Sequence, residues 1–160
     1  GASVIGTAGG AEKCALAKAN GYHHVIDYTS TDFEAEVMRL TDGKGVDVAY
    51  DSVGNDTMAR SLTSTRRHGT IIAFGQSSGA YLDFKISDLA KGSYKLSRPT
   101  LFHFVGERDW LEANSAKLFT AVTDGTVDIS INQKFPLADV AKAHDALTGR
   151  ATTGSTILTV

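Results

Sequence analysis

The feature that most constrains this fold is an alternation of short apolar runs with segments that have helical spacing. The runs cover residues 2–8, 24–28, 46–50 and 69–75, and turn residues follow each of them. They recur at intervals of about twenty residues, which leaves room for one helix between successive strands. The alternation predicts βαβ units and a parallel sheet, because a parallel neighbour needs a crossover connection.

Helix signals lie between and after these runs. The predicted helices cover residues 11–20, 56–65, 108–123 and 138–148, with one more that starts after a cap at Ser30 or Thr31. In the 108–123 helix the core candidates are Trp110, Leu111, Ala113, Leu118 and Val122. A fifth strand is expected before Pro99, and a last one closes the chain. The order predicts an α/β fold with a Rossmann-like parallel sheet and flanking helices.

Composition excludes several other classes of protein. The chain has 160 residues, of which 42% are apolar and 21% charged, as in a globular domain. Its net charge of −2 provides no basic surface for nucleic acid, and no apolar run reaches the ~20 residues of a membrane span. Cys14 is the single cysteine, so an internal disulfide is excluded. We therefore expect a reducing, cytoplasmic location.

Glycine-containing turns follow three of the four strands. In doubly wound sheets, ligands bind beyond the carboxyl ends of the strands. The residues expected there are Gly9, Gly10, Lys13, Tyr28, Asp51, Ser52, Val53, Gly54, Phe74, Gly75 and Gln76. Each glycine by itself is typical of a tight turn, but glycines on one sheet edge together favour a ligand site.

The first of these turns indicates which ligand. Folds that prefer NAD usually end the second strand with an acid for the ribose 2′-hydroxyl, and no acid occupies this turn. We expect Gly9 and Gly10 to offer free backbone N–H groups at a helix start, with Lys13 and the Tyr28 hydroxyl nearby. This pattern predicts NADPH, although Lys13 read alone is a solvated surface lysine. Residues 2–8 would then form the second strand, and the first βα unit, about 30 residues, would precede Gly1.

Longer phrases carry a family resemblance along the whole chain. They are "EKCALAKANGYHHVIDY", "VDVAYDSVGNDT", "RRHGTIIAFGQSSG", "RPTLFHF" and "RATTGSTIL". They resemble the zinc-free quinone oxidoreductases of the medium-chain dehydrogenase/reductase superfamily, the zeta-crystallin-like enzymes. The resemblance implies a two-domain, usually homodimeric, NADPH-dependent enzyme. This chain would be its C-terminal portion: a partial Rossmann domain at 1–130, and a segment at 131–160 that packs towards an absent catalytic domain.

The resemblance also implies roles for individual residues. Gly9, Lys13, Tyr28 and Arg150 would contact the adenosine 2′-phosphate region. Ser52, Val53 and residues 74–76 would line the path to the nicotinamide ribose. Arg150 has an alternative role as a cation at a helix C-terminus.

Three functions stay open at this point. The first is hydride transfer from NADPH to a quinone, and the second is reduction of another α,β-unsaturated carbonyl. The third is a non-catalytic nucleotide-binding or crystallin-like protein. No catalytic residue is expected in this chain, and the chain alone is expected to be inactive and to bind cofactor weakly.

Other features have simpler explanations. Cys14 is expected to be a packing residue, and the histidine spacing does not predict a metal site. The basic cluster at residues 66–68 is expected to be a solvated helix end. Phe102 and Phe104 could form an exposed aromatic surface for a partner or belong to the nicotinamide end of the site, and the family resemblance favours a dimer interface.

Overall fold

The computed structural model describes residues 1–149 and 151–160. The strands are β1 (Ile5–Ala8), β2 (His24–Asp27), β3 (Val46–Asp51), β4 (Thr65–Ala73), β5 (Lys95–Ser97), β6 (Ile131–Pro136) and β7 (Ser155–Thr159). The α-helices are α1 (Ala11–Ala19), α2 (Phe33–Leu40), α3 (Met58–Thr63), α4 (Leu101–Val105), α5 (Arg108–Thr123) and α6 (Val140–Thr148). Short 3₁₀ helices cover Ile86–Lys91 and Leu137–Asp139. Contacts group the chain into two compact units, Gly1–Thr100 and Leu101–Val160.

The first unit contains two parallel sheets, one of β1 and β2 and one in the order β3-β4-β5. A Rossmann sheet has the strand order 3-2-1-4-5-6, so its first strand lies between the second and the fourth. Here β1 and β3 are each paired along one edge only. The two sheets therefore correspond to the two sides of a Rossmann sheet from which the first strand is missing. The predicted fold class, an α/β Rossmann-like sheet without its first βα unit, is confirmed.

The core of the first unit has two clusters. In one, Ile26 packs with Phe33 and Val37 of α2, and the first residues of β1 and β3, Ile5 and Val46, pack against the same cluster. Phe33 and Val37 are one helical turn apart, as the apolar pattern predicts. Burial of such side chains is worth about 1.5–3 kcal/mol each, which fixes α2 on the sheet.

The second cluster holds α3 against the larger sheet. It consists of Met58 and Leu62 from α3 with Ile71 and Ala73 from β4, and Ile71 is completely buried. This packing places the carboxyl ends of β3 and β4 next to the start of α3.

Two local predictions are wrong. Helix α2 is capped by Asp32 and not by Ser30 or Thr31. The Asp32 side chain accepts a hydrogen bond from the Glu34 N–H at 3.0 Å. The basic cluster at residues 66–68 lies in β4 rather than at a helix end, because Thr65 already pairs with Val46 of β3. The register shifts after this pair, and His68 takes a φ of 63° at the irregularity.

The second unit contains α4, α5 and α6 with a parallel pair, β6 and β7. Helix α5 has the predicted bounds, but its predicted buried face is wrong. Trp110 and Leu118 are 40% and 51% exposed, Ala113 is exposed, and Leu111 and Val122 are half-buried. The reason is that, within this unit's described residues, α4 is the element that packs closely on α5, through Phe104 against Trp110.

The predicted division at residue 130 refers to packing against a separate catalytic domain, and it stays a prediction. Among the described residues, no helix has the length and apolar character needed to cross a membrane.

Candidate functional site

The turn after β1 is held by a carboxylate from the neighbouring strand. Gly10 precedes α1 with a φ of 88°, a conformation that glycine adopts without strain. Its N–H donates to Oδ1 of Asp27 at 3.0 Å, at the end of β2. The expectation that the Gly10 N–H is free is therefore wrong. The amide is used instead to fix the turn.

Asp27 makes this contact as part of a compact network. The same Oδ1 accepts from the Thr29 hydroxyl at 2.6 Å and from the Thr29 N–H at 3.0 Å. Hydrogen bonds from the Thr29 hydroxyl and then from Gly10 lower the pKa of Asp27, so the group is ionised at neutral pH. Sequence reasoning missed this residue, because its bond to Gly10 spans 17 positions.

The N-terminus of α1 has no side-chain cap. The Cys14 N–H donates to the Gly10 carbonyl at 3.1 Å and begins the helical ladder. The amides of Ala11 and Glu12 therefore have no partner within the helix, and they point out of its positive end. Lys13 lies half-buried in the same first turn, beside the acid Glu12. The arrangement is suited to an anion such as a phosphate group.

Tyr28 covers this turn from the neighbouring strand. A Cβ on Gly9 would lie 2.8 Å from the Tyr28 hydroxyl oxygen, so the two residues are in close contact. The Tyr28 N–H also donates to the Ala8 carbonyl at 3.2 Å. The residue is 45% exposed. The structure thus brings Gly9, Gly10 and Tyr28 together at the start of the helix that carries Lys13.

A second group of predicted residues lies at the ends of β3 and β4. The loop after β3 is organised by Asp51, which is 3% exposed. Its Oδ1 accepts from the amides of Val53 and Gly54, both at 2.9 Å. Its Oδ2 accepts from the hydroxyls of Thr57 at 2.8 Å and Ser61 at 2.7 Å. Burial raises the pKa of Asp51, but the donors, Ser61 first, outweigh it, and the pKa lies below its ordinary value.

The turn after β4 packs directly on this loop. The N–H of Phe74 donates to the Asp51 carbonyl at 2.9 Å. A Cβ on Gly75 would lie 2.5 Å from the Ser52 carbonyl oxygen, so only glycine allows this approach. Ser52, Phe74 and Gln76 expose their side chains, and Val53 is half-buried. The two turns therefore present one polar and aromatic surface.

The predicted residues thus form two groups, one after β1 and β2 and one after β3 and β4. Arg150, which was predicted to join the first group, lies outside the described residues.

Cys14 places its Sγ 3.8 Å from the Ala8 carbonyl oxygen. Burial, and then the charge of Asp27, raise the pKa of its thiol. A thiol with a raised pKa is a poor nucleophile, which agrees with a packing role.

Comparison with known proteins places this arrangement in a family. A family model described as zinc-binding dehydrogenase matches residues 20–158. The chain belongs to the zinc-binding dehydrogenase family. Across residues 1–149 and 151–160, no group of three or more His, Cys, Asp or Glu side chains is placed to hold a metal ion. The described residues do not supply a zinc site.

Individual relatives agree along the whole chain. The chain is 41% identical to a 2-haloacrylate reductase from Burkholderia sp over 99% of its length, and 41% identical to quinone oxidoreductase 1 from Escherichia coli strain K12 over 99%. The crystal structure of Escherichia coli quinone oxidoreductase complexed with NADPH covers all of the chain with a TM-score of 0.93 and 39% identity. The chain spans about half of these proteins: 48% of the first, 49% of the second and 50% of the third.

Proposed function

We propose that this chain is the cofactor-binding part of an NADPH-dependent quinone oxidoreductase. The observation that carries the proposal is the turn after β1. It has a helix start without a side-chain cap, a lysine in the first turn of that helix and an exposed tyrosine from the neighbouring strand. It occurs in a chain that is 39% identical to a quinone oxidoreductase whose crystal structure contains NADPH.

The first group of residues fits the adenosine end of NADPH. The amides at the start of α1, the Lys13 ammonium and the Tyr28 hydroxyl are donors or positive charges, which is what a 2′-phosphate requires. Gly10 has open space where a Cβ would stand, so a ligand can approach its backbone. Asp27 adds a negative charge nearby, but the three bonds on its Oδ1 direct that oxygen to Gly10 and Thr29. Arg150 remains a prediction from the resemblance.

The second group fits the nicotinamide end. NADPH supplies the hydride when it is bound. Ser52 and Gln76 offer polar groups to a ribose, and Phe74 and Val53 offer apolar surface to a ring. Gly75 keeps the turn after β4 against the loop after β3, so their backbones form one wall. These residues position and shield the cofactor, and none of them is assigned a proton transfer.

The substrate pocket and the remaining machinery belong, in this proposal, to a part of the protein outside this chain. We infer a cytoplasmic homodimer, with the exposed Phe102 (80%) and Phe104 (44%) near the interface. The 160-residue chain alone is not expected to turn over substrate.

The experiment is steady-state oxidation of NADPH by the full-length protein with quinones, enones, enals and 2-haloacrylate as acceptors. The proposal predicts the highest kcat/KM with a quinone. Higher kcat/KM with an unsaturated carbonyl would favour the second candidate, which the similarity to a 2-haloacrylate reductase supports. Tight NADPH binding without turnover of any acceptor would favour a non-catalytic role.

A further inference from the structure

The loops after β3 and β4 are joined by more contacts than a simple turn requires. The Ser78 N–H and the Ser78 hydroxyl both donate to the Val53 carbonyl at 2.8 Å. The same hydroxyl accepts from the Asp56 N–H at 3.1 Å, and the Asn55 N–H donates to the Gly79 carbonyl at 3.0 Å. The loop of residues 74–79 is therefore held by the loop of residues 51–57, over several successive backbone groups.

Gly54 shows how closely the two loops approach. It has a φ of 90°, and a Cβ there would lie 2.5 Å from the Gly79 carbonyl oxygen. No L-residue side chain fits this position without moving backbone. The approach therefore depends on the conformation of the loop of residues 51–57, which is in turn set by what binds its amides.

The group that binds those amides is the Asp51 carboxylate. The carboxylate joins two elements: Oδ1 accepts from the loop amides of Val53 and Gly54, Oδ2 accepts from the Ser61 hydroxyl in α3, and the Thr57 hydroxyl before α3 contacts both oxygens. A buried carboxylate with this many donors is ionised and rigid. Because Ser52 and Val53 follow Asp51 directly, this side chain ties the start of their loop to α3.

We propose that Asp51 is a positioning residue for the nicotinamide end of the cofactor, acting through the loops of residues 51–57 and 74–79. The inference rests on the proposed function, since it assumes that these loops face NADPH. Asp51 does not touch the ligand in this account. Its role is to keep Ser52, Val53 and the Gly75 turn in one arrangement, so that binding does not have to order them.

If Asp51 had a merely structural role, its substitution would weaken the binding of all ligands equally. The test therefore compares the binding of two ligands to the full-length protein. Adenosine 2′,5′-bisphosphate reaches only the group around Gly9 and Tyr28, whereas NADPH also reaches the loops that Asp51 holds. Calorimetry gives the Kd of each ligand for Asp51→Asn. The matched control is Asp47→Asn, which removes the same charge from an exposed position on the same strand, where it pairs with Arg66.

We expect Asp51→Asn to raise the Kd of NADPH about tenfold, because charge-assisted hydrogen bonds are replaced by weaker neutral ones. The Kd of adenosine 2′,5′-bisphosphate should stay within about twofold, the usual effect of a change away from a ligand. The control should change neither Kd. Ser78→Ala removes two contacts between the loops and leaves the carboxylate, so it should show the same selectivity at about three- to fivefold.

Equal losses for both ligands, or an unchanged Kd of NADPH in Asp51→Asn, would overturn the inference. If Asp51→Asn does not fold, Ser78→Ala decides in the same way. If the unsubstituted protein binds neither ligand, the proposed function fails and the inference fails with it. If it binds both but Asp51→Asn shows no selectivity, only the inference fails.

Discussion

The contact between Gly9 and Tyr28 gives the sharpest prediction at the adenosine end. In Gly9→Ala the new Cβ would lie 2.8 Å from the Tyr28 hydroxyl oxygen and 3.1 Å from Cζ, where ordinary contacts begin at 3.4 Å. Gly9 has no positive φ, so the backbone accepts alanine. Tyr28 is 45% exposed and can rotate away. The cost in the free energy of unfolding should therefore stay below about 1 kcal/mol.

Cofactor binding should be affected far more. A hydrogen bond to a charged group is worth about 1.5–3 kcal/mol, which corresponds to about 10- to 150-fold in Kd. Displacing the Tyr28 hydroxyl should therefore raise the Kd of NADPH by up to this factor and leave that of NADH unchanged. The assay is fluorescence titration of the full-length protein with both cofactors.

Tyr28→Phe is the matched variant, since it removes the hydroxyl without adding an atom at Gly9. It should weaken NADPH binding at least as much as Gly9→Ala does. The double variant should be no weaker than Tyr28→Phe, because both changes remove the same interaction. Additive losses of NADPH affinity in the double variant would contradict this prediction. Equal weakening of NADPH and NADH binding in any of the three variants would contradict it too.

Three further predictions concern charge, packing and pH. Lys13→Glu should reverse much of the preference for NADPH in the same titration, because it places a negative charge at the start of α1; an unchanged ratio of the two Kd values would contradict this. Gly75→Ala should lower the free energy of unfolding in urea by about 1–3 kcal/mol, because its Cβ meets backbone of Ser52 rather than a movable side chain. A loss no larger than that of Gly9→Ala would count against it. The pKa of Asp51 is lowered from 3.8, so its contribution to stability is complete above that pH and is lost as the pH falls through the lower, folded-state pKa. Asp51→Asn should therefore show a smaller loss of stability in acid than the unsubstituted protein, and parallel pH profiles would contradict this.

Local patterns in the sequence predict the scaffold well. The bounds of α5 are as predicted, and each strand of the first unit overlaps its predicted run, although β4 begins at Thr65, four positions before the predicted start at Gly69. Helix α3 is shorter than predicted, because Thr65 has already joined β4 through its pairing with Val46. That pairing is a tertiary contact between distant positions, and a local stretch of sequence does not contain the information to predict it.

The contacts of the two carboxylates that organise these turns were not predicted, for a similar reason. Asp27 and Gly10 are 17 positions apart, and each looks ordinary in its own segment. For Asp51 a signal was present in the sequence. It ends a predicted strand, and the hydroxyl residues Thr57 and Ser61 follow at spacings from which a short helix can bring them back to that strand end. Sequence reasoning named the residues that are predicted to face a ligand, because glycines at strand ends are visible in the sequence. It did not predict the contacts behind them, because those contacts join distant positions.

We propose that the turn after β1 selects the phosphorylated cofactor in a quinone-reducing enzyme. The most direct test is kcat/KM for NADPH and for NADH, measured with one quinone acceptor and the full-length protein. We expect quinone-dependent oxidation with NADPH preferred by about tenfold or more, the value of one charged phosphate contact. Equal kcat/KM for the two cofactors, or a preference for NADH, would contradict it.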